Sequence, residues 1–105
     1  MPQHVLIPYL MSKLTDSSTL IDCRPADCYA EYAPLGGINV PYDELLLHPE
    51  KYLEAEKAYY LICENGALSL RAAMILELNG YKNQVANVFG GYEAYRASTE
   101  SKKKR

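Results

Sequence analysis

The sequence predicts an α/β fold with a central, mainly parallel five-stranded sheet flanked by helices on both faces. Three observations predict it. Short apolar runs alternate along the chain with helix-compatible stretches, as in successive βαβ units. Tyr59-Tyr60-Leu61-Ile62 is apolar and aromatic throughout, as a parallel strand buried on both faces is. A few small or polar residues then lead into Leu68–Leu78, rich in Ala, Leu, Met and Ile, which Asn79-Gly80 stops.

The elements follow in order. His4-Val5-Leu6-Ile7 reads as a short edge strand, and Pro8 suits the first turn of a helix through Leu14. Thr15-Asp16-Ser17-Ser18 is a polar connection to a buried strand, Thr19-Leu20-Ile21-Asp22-Cys23. A short helix is expected over Pro25–Tyr32, a turn at Pro34-Leu35-Gly36-Gly37 and a very short strand at Ile38-Asn39-Val40-Pro41. Tyr42 or Asp43 starts a helix through Leu47, Pro49 breaks it, and Glu50–Ala55 can add a turn or two. After the Cys63 strand and its helix come a last strand, Val85–Phe89, the pair Gly90-Gly91 and a helix to about Ala97. Residues 1–97 are therefore expected to form one domain, and residues 98–105 a basic, disordered tail.

Composition excludes several classes. The chain of 105 residues is long enough for one core, and its net charge of −2 gives no global attraction to nucleic acid or anionic lipid. No apolar run reaches the length of a membrane span, and Met1-Pro2-Gln3-His4 does not open a secretion signal, so a soluble, cytoplasmic protein is expected. Three cysteines without a pairing pattern fit free thiols in a reducing compartment. Those cysteines and the two histidines lack C-x-x-C or paired-ligand spacing, so no metal site is expected; His4 and His48 read as surface residues.

Cys63 is the point of chemical interest. It lies where the strand ends and the chain turns tightly into a helix. Such a turn gathers backbone N–H groups into one concavity, and the helix dipole adds positive potential there. A thiolate held at that point is stabilised and nucleophilic. Free cysteines are also commonly buried and inert. Gly66, three residues on, permits the turn, and Ser69, six residues on, can cap the helix or donate its hydroxyl to the sulfur. Asp22 and Arg24 fall at a neighbouring strand end and could share the crevice. Tyr29, Tyr32 and Tyr92 are candidates for its rim or for packing.

Four segments in order resemble the single-domain rhodanese-like sulfurtransferases. Leu20-Ile21-Asp22-Cys23-Arg24 is similar to that family's early strand, usually Leu-Ile-Asp-Val-Arg. Gly36-Gly37-Ile38-Asn39-Val40-Pro41 resembles its Gly-Ala-x-Asn-Ile-Pro segment. Cys63 with Gly66, Ser69, Ala72 and Ala73 resembles its active loop and following helix. Gly80-Tyr81-Lys82-Asn83 through Val88-Phe89-Gly90-Gly91-Tyr92-Glu93-Ala94-Tyr95 resembles its closing segment, with Tyr95 where Trp is usual. The resemblance spans about Val5 to Arg96.

It implies that the Cys63 thiolate takes the outer sulfur of a donor, becomes a persulfide, and yields that sulfur to a thiophilic acceptor such as a thiol or cyanide. The backbone amides of Glu64, Asn65, Gly66, Ala67, Leu68 and Ser69 would hold the terminal sulfur, with Asp22 and Arg24 bracing the loop and no cofactor required. The partners implied are a polysulfide, protein persulfide or thiosulfate donor and a sulfur-relay protein.

The chain departs from the family pattern in two places. A Glu is usual before the aromatic of the second helix and a Gly-His pair three residues after it. Cys28 and Tyr32-Ala33 stand there, so the partner of Arg24 is lost or replaced. The loop holds one acid, Glu64, and no base, which opposes dianionic thiosulfate; Arg71 just beyond it could partly compensate. Two alternatives stand beside the sulfur carrier. A cysteine phosphatase needs an Arg where Ser69 stands, and Arg71 comes two residues too late. A non-catalytic binding or regulatory module would keep the pocket without turnover. Cys23 reads as small-hydrophobe packing, with a resolving-thiol role as the alternative.

Overall fold

The computed structural model describes residues 2–14 and 18–103. Its strands are β1 (Gln3–Val5), β2 (Ser18–Asp22), β3 (Ile38–Asn39), β4 (Ala58–Ile62) and β5 (Val85–Val88). They form one sheet in the order β1-β5-β4-β2-β3, and every neighbouring pair is parallel. The helices are α1 (Ile7–Lys13), α2 (Ala26–Glu31), α3 (Tyr42–Leu47), α4 (Ala67–Leu76) and α5 (Gly91–Lys103). The expected fold class and the five strands are present.

Side chains alternate across the sheet, so one strand feeds two cores. Tyr59 and Leu61 of β4 join Ile21, Cys23, Leu45, Ala72, Ala73 and Leu76 on the face covered by α3 and α4. Ile62 joins Val5, Leu10, Leu20, Val88 and Tyr92 on the face covered by α1 and α5. The small Ala72 and Ala73 let α4 lie close to the sheet, which fixes where the loop before it can go.

Register brings the strand ends together. Asp22 pairs with Ile62, and Leu61 with Asn87. The residues just past β2, β4 and β5 therefore meet at one edge of the sheet: Cys23-Arg24, Cys63-Glu64 and Phe89-Gly90. This is the carboxyl edge, where parallel sheets place their sites.

Element ends differ from expectation for local reasons. β1 stops at Val5, because Pro8 lets the helix begin at Ile7. Of the polar connection, Thr15, Asp16 and Ser17 lie outside the described residues. The segment after α3 forms only a 3₁₀ turn, Pro49–Lys51, and Glu56 takes a positive φ of 68°. Regular α4 ends at Leu76; a π-type turn over Glu77–Tyr81 follows, in which Gly80 adopts φ 102° and reverses the chain. α5 runs past Ala97, where the helix was expected to end, to Lys103. Ala97, Glu100 and Lys102 suit a helix, and the Thr99 hydroxyl donates back to the Arg96 carbonyl at 3.0 Å. Lys104 and Arg105 lie outside the described residues. No helix among the described residues is long and apolar enough to cross a membrane.

Candidate active site

Cys63 closes β4 and is buried, with 2% of its surface exposed. The next residues turn sharply, and Gly66 at the helix N-cap adopts φ 88°. That conformation suits glycine alone, and a Cβ there would also stand 2.9 Å from the Gly90 nitrogen. The turn aims two amides at the sulfur: Gly66 N–H at 3.1 Å and Ser69 N–H at 3.4 Å. The Ser69 hydroxyl lies 3.2 Å from Sγ. Of the expected cradle, these are the groups that reach the bare thiol. Ala67 N–H is taken by the Asn65 side-chain oxygen at 2.9 Å, which stiffens the outer part of the loop. Ser69 sits inside the first turn of α4 and does not cap it.

The start of α5 clamps this loop from behind. Tyr92 N–H donates to the Cys63 carbonyl at 3.0 Å, and Glu93 N–H to the Glu64 carbonyl at 2.8 Å. With both carbonyls pulled toward α5, the following N–H groups face inward. Gly91 makes the approach possible: a Cβ on it would lie 2.3 Å from the Cys63 carbonyl oxygen.

Asp22 and Arg24 brace the neighbouring strand end. Asp22 is fully buried, and both its oxygens accept from Arg24, from Nε at 3.0 and 3.2 Å and from Nη2 at 2.7 Å. Such a buried pair holds its shape because losing one partner strands the other charge. The partner of Arg24 that the family pattern lacks here is replaced. Its guanidinium donates to the Tyr32 carbonyl, lies 3.8 Å from Glu64 and stacks 4.3 Å over the Tyr92 ring. Asn39 donates to the carbonyls of Asp22 and Arg24, fixing the bend. Burial, then Asp22, pushes the Tyr92 hydroxyl up to about 12; the Leu35 backbone eases this without meeting hydrogen-bond geometry. Tyr92 is a core residue and not part of a rim.

Glu64 stands differently from expectation. It forms an ion pair with Arg96 of α5, with Arg24 on its other side. The Arg96 hydrogen bond holds the Glu64 carboxyl below its ordinary range. The acid at the mouth is thus balanced, by an arginine some thirty residues away in sequence that also lies over the Tyr32 ring at 4.6 Å. Arg71 does not reach the thiol: α4 turns Ser69, Ala72 and Ala73 inward, and Arg71, two residues after Ser69, is exposed. Leu68 is 43% exposed at the loop surface.

Cys23 lies on the same sheet face as Cys63, one residue past the Asp22–Ile62 pair, and its N–H donates to the Ile62 carbonyl at 2.8 Å. Burial, then the neighbouring Cys63 and Asp22, pushes its thiol well above the ordinary range. This suits packing and opposes a resolving role, and Cys23, Cys28 and Cys63 are all free. Among the described residues no group of three or more His, Cys, Asp or Glu could hold a metal.

Sequence reasoning missed two contributors, Arg96 and Asn87. Asn87 is buried on β5 and hydrogen bonds the Ser69 hydroxyl. A lone polar residue within Val85-Ala86-Asn87-Val88 was the available signal.

The five-stranded parallel sheet agrees with the comparisons. A family model described as the rhodanese-like domain matches residues 8–98. The chain belongs to the rhodanese-like family. It is 31% identical over 84 residues to the uncharacterized protein YqhL of Bacillus subtilis, a match covering 80% of this chain and 65% of that relative. It is similar to the crystal structure of a rhodanese-related protein from Thermoplasma volcanium, with a TM-score of 0.77, 25% identity, and 91% and 92% of the two chains covered. It is also similar to part of the reduced Bacillus anthracis CoADR-RHD, with a TM-score of 0.78, 29% identity, and 90% of this chain but 16% of that one covered. This rhodanese-like domain therefore resembles both a stand-alone domain and a segment of a much longer chain.

Proposed function

We infer that the domain is a sulfur carrier or sulfurtransferase that works through a persulfide on Cys63. The observation that carries this reading is the convergence of Gly66 N–H, Ser69 N–H and the Ser69 hydroxyl on one buried sulfur. Two backbone N–H groups aimed at Sγ, with the Ser69 hydroxyl beside them, make a concavity that suits a second, negatively charged sulfur. The thiolate attacks the outer sulfur of a donor R–S–SH. The new S–S bond forms as the donor's own S–S bond breaks, R–S⁻ leaves with the electron pair, and Cys63 keeps the outer sulfur as a persulfide. An acceptor nucleophile then attacks the outer sulfur, and Cys63 leaves as thiolate. No net oxidation of the protein occurs. The residues bracing this chemistry are Asp22 and Arg24, with the loop Glu64–Ser69 around it.

Donor choice follows from charge. Arg24 is committed to Asp22 and Glu64, Arg96 to Glu64, and Arg71 points outward. Thiosulfate brings two negative charges to a mouth with no spare cation among the described residues, so polysulfide or a protein persulfide is the better donor. The acceptor is a thiol, cyanide or a sulfur-relay protein, and the free cysteines suit a reducing cytoplasm. A second reading, a binding or regulatory module, is favoured by the 2% exposure of Cys63, since exchange needs the loop to open.

The test is transfer. Protein treated with polysulfide and desalted should release about one equivalent of thiocyanate with cyanide, as one covalent intermediate per chain requires. Cys63→Ser should release none. Equal release from the variant would refute the role of Cys63.

A further inference from the structure

The Ser69 hydroxyl faces two ways. Toward the site it meets Cys63 Sγ at 3.2 Å, and on its other side it hydrogen bonds the side-chain amide of Asn87. The far end of that amide lies 3.3 Å from His4 Nδ1. His4 and Asn87 are register partners on the adjacent strands β1 and β5. Four groups thus form one chain: Cys63, Ser69, Asn87 and His4. The first three are buried, and His4 is exposed beside an open groove shared with Asn65, Leu70, Phe89 and Glu93.

Donor counting ties the two ends together. A hydroxyl has one proton to give. If Ser69 gives it to Asn87 Oδ1, then Cys63 must be a thiol donating to Ser69 Oγ. Asn87 Nδ2–H then points at His4 Nδ1, which must be bare. If the amide is turned over, Nδ2–H donates to Ser69 Oγ and the hydroxyl proton is free for a Cys63 thiolate. Asn87 Oδ1 then accepts Nδ1–H, which an imidazolium always carries and a neutral ring carries only in one of its two tautomers. The two amide orientations have the same shape, so the hydrogen bonds at the ends select between them.

We propose that His4 is a positioning residue for Cys63: when protonated, it turns the Asn87 amide so that the Ser69 hydroxyl donates to the thiolate. No proton travels along the chain. Cys63 loses its proton to solvent, His4 takes one from solvent, and the amide transmits the preference. Charged and titratable neighbours act at both ends. Cys23, Asp22, Arg24, Glu64 and Tyr92 surround the Cys63 end, and Glu93 of α5 lines the groove at His4. Those groups stay in place in the variant His4→Gln, which keeps an amide at the site and does not titrate.

The proposal rests on Cys63 being the working thiol. Its test is the rate of iodoacetamide capture at Cys63, read by peptide mass spectrometry from pH 5 to 9. Histidine is the side chain that titrates in the middle of that range. At pH 5.5 the wild type should label roughly three- to tenfold faster than His4→Gln, the worth of one net hydrogen bond. The ratio should shrink toward one as the pH rises to 8.5. A ratio of one throughout, or one ratio unchanged at every pH, overturns the proposal.

A second measurement needs no reagent at the buried sulfur. By linkage, the midpoint of the His4 ring's NMR titration should differ between wild type and Cys63→Ala. Equal midpoints overturn the proposal. Cys63 that carries sulfur without His4 dependence would refute this inference alone. Cys63 that shows the linkage but never accepts sulfur would refute the functional reading alone.

Discussion

Gly91→Ala is expected to cost far more than Gly36→Ala, although both glycines have positive φ, 59° and 72°. At Gly36 nothing lies within 4 Å of an added Cβ. Alanine there meets the left-handed backbone cost of roughly 1–2 kcal/mol, offset by about 0.4–1 kcal/mol from a stiffer unfolded chain. The net loss is about 0–1.6 kcal/mol. At Gly91 the same Cβ would lie 2.3 Å from the Cys63 carbonyl oxygen and 2.9 Å from Glu64 O and Gly66 N. Backbone atoms cannot swing aside as a side-chain tip can, so α5 and the loop must separate. That weakens the bonds from Tyr92 and Glu93 to the two carbonyls, at about 0.5–1.5 kcal/mol each. The expected total for Gly91→Ala is about 2–4 kcal/mol. Urea titration measures it as a lower midpoint at unchanged slope. Persulfide loading should fall with it, because the amides lose their aim. If the two variants differ by less than about 0.5 kcal/mol, within the ordinary range of surface substitutions, the clamp by α5 is not what shapes the loop.

Other outcomes follow from named contacts. Glu64→Gln removes the charge that occupies Arg96, so thiosulfate:cyanide turnover should rise severalfold, and Leu68→Arg should raise it further; no rise in either would refute the charge account. Ser69→Ala should slow polysulfide loading by about three- to tenfold, the loss of one hydrogen bond between the Ser69 hydroxyl and the Cys63 sulfur, as followed by stopped time points and mass measurement. Arg24→Met leaves Asp22 buried without its partner and should cost about 3–5 kcal/mol in urea titration, whereas a loss under about 1 kcal/mol would show that the pair is dispensable. The Glu64 carboxyl is held below its unfolded value of about 4.3, so its contribution is present above that pH and fades as pH falls further. Wild type should therefore lose more stability than Glu64→Gln between about pH 5 and pH 3 in thermal melts, and parallel curves would contradict the ion pair.

What the sequence revealed was mainly local or periodic. The Tyr59–Ile62 run, the glycine turn and the Ala-rich helix together placed Cys63 at a parallel strand end, because apolar pattern and turn chemistry are short-range signals. Asp22 and Arg24 were legible because both fall at the next strand's end. Arg96 was not legible. Its partner Glu64 lies on another element, and only the seating of α5 against the loop brings them together. The sequence therefore suggested an unopposed acid at the mouth where the fold supplies a paired one. Arg71 shows the converse. It is near the loop in sequence, but the period of α4 turns it away. His4 and Asn87 are 83 residues apart and meet only because β1 adds beside β5, at the far edge of the sheet. The far end of α5 was missed because polar, lysine-rich composition reads as a tail even where its residues suit a helix.

The central claim is that Cys63 carries sulfur, and intact-protein mass spectrometry tests it most directly. Reduced protein would be exposed in turn to thiosulfate, to polysulfide, and to a cysteine desulfurase with cysteine, with Cys63→Ser as the control. The account predicts a gain of one sulfur atom from polysulfide and from the desulfurase, little from thiosulfate, and none in the control. It also predicts that cyanide or a thiol removes that atom. No gain from any donor by folded protein, or a gain that survives Cys63→Ser, would contradict it.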